Sequence, residues 1–345
     1  MGRKFTWLPE ATWLLVVVFS ASAAVGAEEF YKGKTLRFVV GASPGGGLDA
    51  YARAIARHIG NKIPGNPTTI VENMPGAGSL VSANYLYAQA KPDGLTVGHW
   101  IGGLIMRQAM GDQKEISFDG RKFEWLGVPV QDSPVCVLTK TSGITNLEKW
   151  FAVREPVKLG GTVPGGNTDD IPRVLKAALS LPVQVVDGYK GTAEIRLAAE
   201  SGELAGGCWA WESIKPTWAK GLQTGDVIAI IQALPKKHPD LPQVPNAIDY
   251  AKTEEARNLI QVGIHNQAAI TRPFSLPPGT PKERVALLRQ AFMRTLKDTE
   301  FLAEAQKAKL AVNPLSGEET EKIVAGLFQA SPDMLRKLKD ILYPK

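Results

Sequence analysis

The chain has little of what metal and redox chemistry require. Its 345 residues include 2 cysteines, Cys136 and Cys208, and 4 histidines, His58, His99, His238 and His265. The histidines share no ligand spacing and no C-x-x-C occurs, so the reading is of a protein with no metal and no cofactor. In an oxidising compartment the two cysteines either pair or stay as buried free thiols, and the sequence leaves both open. The dinucleotide fingerprint G-x-G-x-x-G is missing from the first glycine-rich loop, although Glu72 stands where a ribose-binding acid would. No G-x-x-x-x-G-K-S/T pattern exists to cradle a nucleotide phosphate. Tandem repeats, low-complexity tracts and clusters of basic residues are absent too. The last absence argues for solubility rather than nucleic-acid binding.

What is present begins at the N-terminus. Arg3 and Lys4 precede an almost wholly apolar run from residue 11 to 25; then come Val25-Gly26-Ala27 and the charged Glu28-Glu29. That is the order of a secretory signal peptide, with cleavage predicted after Ala27 and a second possible cut at Ala21-Ser22-Ala23. The run is shorter than the ~20 residues of a spanning helix, and no cysteine follows it to carry a lipid. The expected location is the periplasm. Without residues 1–27, which hold Arg3, Lys4 and Glu10, 318 residues remain with 38 basic and 33 acidic side chains. That length suits two lobes, each with its own core.

Strand and helix patterns alternate along this remainder. Thr35–Val40, Thr69–Val71 and Leu95–His99 read as strands, separated by helical patterns at Leu48–Ile59 and Ser79–Ala90. This βαβαβ order predicts a parallel sheet with helices on both faces. A second unit follows: strands at Trp125–Val128, Val135–Thr139, Val157–Gly160, Val183–Val186 and Val227–Gln232, with helices from about Asp169 and Thr192. The tail is helical. N-terminal signals appear at Thr145 with Glu148, at Thr280-Pro281 with Glu283, at Ser316 with Glu319 and at Ser331-Pro332.

Two strand–loop–helix junctions are rich in glycine. The first holds Ser43, Pro44, Gly45, Gly46, Gly47 and Asp49; the second holds Thr162, Gly165, Gly166, Asn167, Thr168 and Asp170. A helix start offers unpaired N–H groups and a partial positive charge, and glycine lets a ligand approach the backbone. Such a junction suits an anion without needing Arg or Lys. One loop per lobe would hold the two ends of a small molecule; otherwise each is only a tight turn. Trp100 and Trp209, near predicted strand ends, are candidate apolar walls of that site, set against the ordinary role of a core tryptophan. Gly41-Ala42-Ser43-Pro44-Gly45 spells the hydrolase elbow G-x-S-x-G, but Pro44 has no N–H to give an oxyanion hole.

In order along the chain stand Tyr31-Lys32-Gly33-Lys34-Thr35-Leu36-Arg37-Phe38, Ser43-Pro44-Gly45-Gly46-Gly47-Leu48-Asp49 and Val71-Glu72-Asn73-Met74-Pro75-Gly76-Ala77-Gly78. They are followed by Lys91-Pro92-Asp93-Gly94, Gly188-Tyr189-Lys190-Gly191-Thr192, Leu241-Pro242-Gln243-Val244-Pro245 and Pro277-Pro278-Gly279-Thr280-Pro281. With these pieces the chain resembles the extracytoplasmic receptors of tripartite tricarboxylate transporters, the Bug receptors. The resemblance implies an α/β, two-lobed periplasmic-binding-protein (Venus flytrap) fold, each lobe a mainly parallel sheet flanked by helices, joined by a hinge. It implies lobe 1 at residues 28–130 completed by 266–345, lobe 2 at 131–265, and no enzymatic activity. It also implies a carboxylate-bearing ligand in the cleft, touched by the two loops and by Tyr189, a monomeric receptor, and one large and one small integral membrane partner. The second loop departs from the family, which commonly starts its helix with Gly-Ser/Thr and a histidine. Here Gly166-Asn167 and Asp170 stand, so negative charge sits where an anion is expected. A secreted hydrolase using Ser43, or a sensory module for a membrane kinase, is the alternative.

Overall fold

A computed structural model describes residues 30–45, 47–111, 115–162 and 165–343. The predicted leader and Gly46 of the first loop lie outside the described residues. Among the described residues eleven strands form two sheets, and both are mixed. In chain order they are β1 (Thr35–Val40), β2 (Thr68–Asn73), β3 (Thr96–His99), β4 (Glu124–Val128), β5 (Pro134–Thr139), β6 (Val157–Gly160), β7 (Val183–Val186), β8 (Gly206–Ala210), β9 (Val227–Gln232), β10 (Phe274–Leu276) and β11 (Leu315–Ser316).

The first sheet has the order β11-β4-β10-β3-β1-β2, the second β7-β6-β8-β5-β9. The βαβαβ segment gives the parallel neighbours β2, β1 and β3. The antiparallel strands belong to the connections between lobes. β4 leads directly into β5, and β10 returns to pair antiparallel with β3 and β4. β5 runs antiparallel to β8 and β9, which brings its start and the C-terminal ends of β8 and β9 to one edge of the second sheet.

The helices follow the apolar spacing. Gly47–Ile59 buries Tyr51, Ala52, Ile55 and Ile59 against the first sheet, and Asn167–Leu179 buries Ile171, Val174 and Leu175 against the second. Ser316 and Glu319 form a capping box, and Ser331 caps the helix Pro332–Leu342. Two expected caps are displaced. The helix Leu147–Ala152 starts from Asn146, whose side chain accepts from the Lys149 N–H. Thr280 Oγ1 donates instead to the Pro277 carbonyl, so Lys282–Leu296 begins from Pro281. Leu338 and Leu342 of the helix Pro332–Leu342 join the buried cluster of Ile171, Val174 and Leu175, so this helix packs on the second unit.

Cys136 on β5 and Cys208 on β8 are direct cross-strand partners, and they form a buried disulfide with Cα atoms 4.0 Å apart. Their fate, open in the sequence, is decided by register. No helix of the described residues is long and apolar enough to cross a membrane.

Candidate functional site

Each glycine-rich junction folds its own carboxylate back onto the loop. In the first, the Gly45 N–H donates to Asp49 Oδ2 at 2.8 Å, while Arg53 Nε and Asn73 Nδ2 donate to the same carboxylate at 2.9 Å each. Burial opposes the charge, but these donors outweigh it and hold the Asp49 carboxyl at about 2. In the second, the Thr162 N–H donates to Asp169 Oδ2 at 2.7 Å and the Gly165 N–H to Asp170 Oδ1 at 2.9 Å. Gln267 Nε2 completes Asp170 at 3.1 Å. Here burial wins. The Asp170 carboxyl, 2% exposed, is pushed up to about 6, and Asp169 is raised by burial and by the nearby Asp187 carboxylate.

The two loops converge on one seam. A Cβ added to Gly47 would stand 2.8 Å from Arg272 Nη1. Arg272 Nε donates to Asp132 Oδ1 at 3.0 Å, and Asn167 Nδ2 donates to Asp132 Oδ2 at 3.2 Å. A line of contacts thus runs from the first loop through Arg272 and Asp132 to the second. Arg272 also lies over the Tyr51 ring, 5.6 Å from its centroid. Glu212 Oε2 accepts from the Ser133 N–H at 3.0 Å and adds negative charge near Arg272. Gly103 reaches the second loop too: a Cβ there would lie 3.4 Å from the Gly165 carbonyl oxygen.

The sequence candidates divide accordingly. Gly45, Gly47 and Asp49, together with Gly165, Asn167 and Asp170, are tied into this seam or its loops. Thr162 and Thr168 bond each other, Oγ1 to Oγ1 at 2.9 Å, and Gly166 provides carbonyl acceptors for the Asp169 and Asp170 N–H groups. Ser43 and Pro44 are exposed. Tyr189 is half-buried, and its hydroxyl donates to Glu203 at 2.6 Å.

Trp100 lies inside the core. It is 0% exposed, donates Nε1–H to Ser275 Oγ at 3.1 Å, and packs among Phe118, Phe123 and Trp125 with ring centroids 5.2–5.6 Å away. Trp209 is 4% exposed and stacks on Trp218 within a buried cluster of the second unit.

Sequence reasoning passed over Arg272 and Asp132. A signal was available. Arg272 is the lone charged residue between Arg257 and Lys282, and Asp132 the lone one between Glu124 and Lys140. An isolated charge in a long uncharged segment is a reason to look for its partner.

No family model matches the chain, and no curated protein matches it. Solved structures do. A TctC solute-binding protein from Polaromonas superposes with a TM-score of 0.69 at 17% identity, over 89% of this chain and 99% of that one. The periplasmic binding protein BugD gives 0.63 at 20% identity, over 90% and 98%. MatC from Rhodopseudomonas palustris, solved with bound malate, gives 0.61 at 20% identity, over 90% and 99%. The chain therefore has the two-lobed α/β fold of these periplasmic binding proteins.

Proposed function

We propose that the chain is an extracytoplasmic receptor of the tripartite tricarboxylate (Bug) type. It takes a small organic acid into the seam between its lobes and delivers it to one large and one small membrane subunit. In this reading the protein is exported to the periplasm, acts as a monomer and catalyses no reaction. The lobes divide near residues 130 and 265, with the C-terminal helix resting on the second.

The observation that carries the reading is the meeting of Gly47 and Asn167 at the Arg272–Asp132 pair. Arg272 holds a guanidinium with a planar fork of donors beside a glycine that leaves the approach open. Asp132 serves as its resident counter-ion. A ligand carboxylate would displace Asp132 from Arg272 and draw further hydrogen bonds from the first helix start, where the dipole favours negative charge. The malate bound to MatC fits this chemistry as a class. Asp132, Glu212, Asp169 and Asp170 limit how much further negative charge the seam accepts, which favours a ligand of one or two carboxylates over a tricarboxylate.

A thermal-shift and calorimetric panel of monocarboxylates, dicarboxylates, tricarboxylates and amino acids tests the proposal. Ligand present at 100 times its Kd stabilises the protein by about 2.7 kcal/mol. A flat response across the whole panel would remove the receptor reading.

A further inference from the structure

A cavity of about 360 Å³ borders the crossing between the lobes. Its walls come from both units: Gln131 and Asp132 on the crossing itself, Asn313 before β11, the 233–239 loop after β9, and His265 with Ala268 on the returning segment. β4 and its neighbour β11 lie toward one edge of the first sheet, and β5 and its neighbour β9 toward one edge of the second. β1 and β6, whose ends carry the glycine loops, lie toward the opposite edges. Asp132 belongs to both the cavity wall and the seam of the proposed receptor site, so the crossing segment borders the two.

Two independent features mark the cavity. The first is His265. It is 8% exposed, and its Nε2 is buried without a hydrogen-bond partner among the described residues. A buried polar atom left unpaired is costly, and in a native protein it often marks where a bound group belongs. The second is the backbone. The helix Glu254–Ile260 widens into a π-helix over Gln261–Asn266, which carries His265, before closing again at Gln267–Ala269. Such widenings are rare and concentrate at functional sites.

The lining chemistry gives the sign of the ligand. Lys236, Lys237, His238 and His265 face one carboxylate, Asp132. Both oxygens of that carboxylate are engaged, one by Arg272 and one by Asn167. His238 Nδ1 accepts from the Asp240 N–H at 3.1 Å, which leaves Nε2 of the neutral ring carrying the proton as a donor. Lys237 Nζ donates to the Pro242 carbonyl at 3.2 Å, while the Lys236 ammonium is exposed.

We propose that this cavity is a second binding site, for a small oxyanion held by His265 Nε2–H, His238 Nε2–H and the Lys236 ammonium. The anion bridges the two lobes at their pivot, and its occupancy is thereby linked to the angle between them.

Calorimetric titration of the purified protein with inorganic phosphate, sulfate and acetate tests this, each with and without malate. The expected result is saturable binding of one oxyanion per chain in both conditions, weaker with malate, which frees the Asp132 carboxylate. Lys236→Gln and His265→Phe should each weaken it about tenfold or more, the loss of one charge-assisted or buried hydrogen bond. The three anions separate a carboxylate preference from a phosphate or sulfate one. Binding that malate abolishes would place the anion in the seam and overturn the proposal. So would binding that both variants leave unchanged, or no saturable binding at all. Lys236 is exposed, so its variant remains informative if the histidine replacement fails to fold. A protein that ignores malate yet binds phosphate through Lys236 would retain this site and lose only the proposed receptor site.

Discussion

Arg272 and Asp132 sit on opposite crossings between the lobes, the one on the returning segment and the other on the outgoing one, with Nε and Oδ1 3.0 Å apart. Asp132 is almost fully buried and Arg272 retains 17% of its side-chain exposure. A pair placed this way does two things. It joins the segments that any hinge motion must bend, and it keeps a guanidinium beside the first glycine loop without leaving a bare charge in the seam.

Removing either partner separates these roles. Asp132→Asn frees Arg272 but leaves it without its counter-ion, which should cost roughly 2–4 kcal/mol of stability. An organic acid that binds should restore more stability to this variant than it adds to the unmodified protein. Arg272→Gln should lower the affinity for the same acid by ~30-fold or more, the loss of a partly buried charge-assisted contact. Equal affinities for both proteins in calorimetry would show that Arg272 does not touch the ligand.

Gly47 tests the same contact through shape alone. A Cβ there meets only the far end of the Arg272 side chain, at 2.8 Å from Nη1. Gly47→Ala should therefore leave the melting temperature within a few degrees, because a flexible side chain can move aside, while weakening ligand binding. Gly165→Ala contrasts with it. Its φ of +90° is strained for any residue with a Cβ, which would also approach Tyr343 Oη to 2.8 Å, so about 1–3 kcal/mol of stability should be lost.

The disulfide provides a prediction about folding. Cys136 and Cys208 close a sequence separation of 72 residues, for which the chain-entropy relation gives about 4 kcal/mol. Cys136→Ala, Cys208→Ala and the double replacement should lose similar amounts in urea unfolding, since each removes the same bond. A double replacement costing twice either single one would contradict that account.

Trp100→Ala should cost about 3–5 kcal/mol through the cavity it opens among Phe118, Phe123 and Trp125. Under conditions where the variant is fully folded, its ligand affinity should match that of the unmodified protein. A large loss of affinity with stability intact would place this tryptophan in the site.

How far the sequence reached depended on the range of the interaction. β1, with its Thr35–Val40 run, and the helix starting at Gly47 are legible because their signals lie within a dozen residues: apolar spacing, glycine breaks, capping side chains. The glycine junctions were legible for the same reason. What the sequence could not show was the partner of each polar group. The sequence separation of 140 between Asp132 and Arg272 hides a contact that only the second crossing creates. Trp100 and Trp209 stand at strand ends, and only packing from distant segments reveals how deeply they are buried. The pairing of Cys136 with Cys208 was likewise a matter of strand register.

The acids of the second loop make the stability of the protein depend on pH, and the sign follows from burial. An unperturbed aspartate titrates near 3.9. Asp170, excluded from water, titrates at about 6 in the folded chain, and Asp169 is displaced in the same direction by burial and by Asp187. The folded state therefore holds protons that the unfolded state has released. Stability from these groups is fully present below about pH 4 and is lost as pH rises through 6. For Asp170 alone the difference amounts to roughly 2–3 kcal/mol across that window. Asp49 acts in reverse: its carboxyl, held at about 2, contributes stability above pH 4 that disappears as pH falls through 2. The stability curve should therefore decline from about pH 4 to about pH 7. Asp170→Asn should flatten it, because asparagine can still accept from the Gly165 N–H without carrying a charge. Binding should follow the same titration. Neutralising Asp170 removes a like charge from the side of the seam that receives the ligand, so affinity for an organic acid should rise from pH 7.5 to pH 5.5 in the unmodified protein and much less in Asp170→Asn. Melting temperatures and calorimetric affinities measured at both pH values decide the matter. Parallel curves for the two proteins would mean that Asp170 is ionised throughout, with Gln267 and the Gly165 amide outweighing the effect of burial.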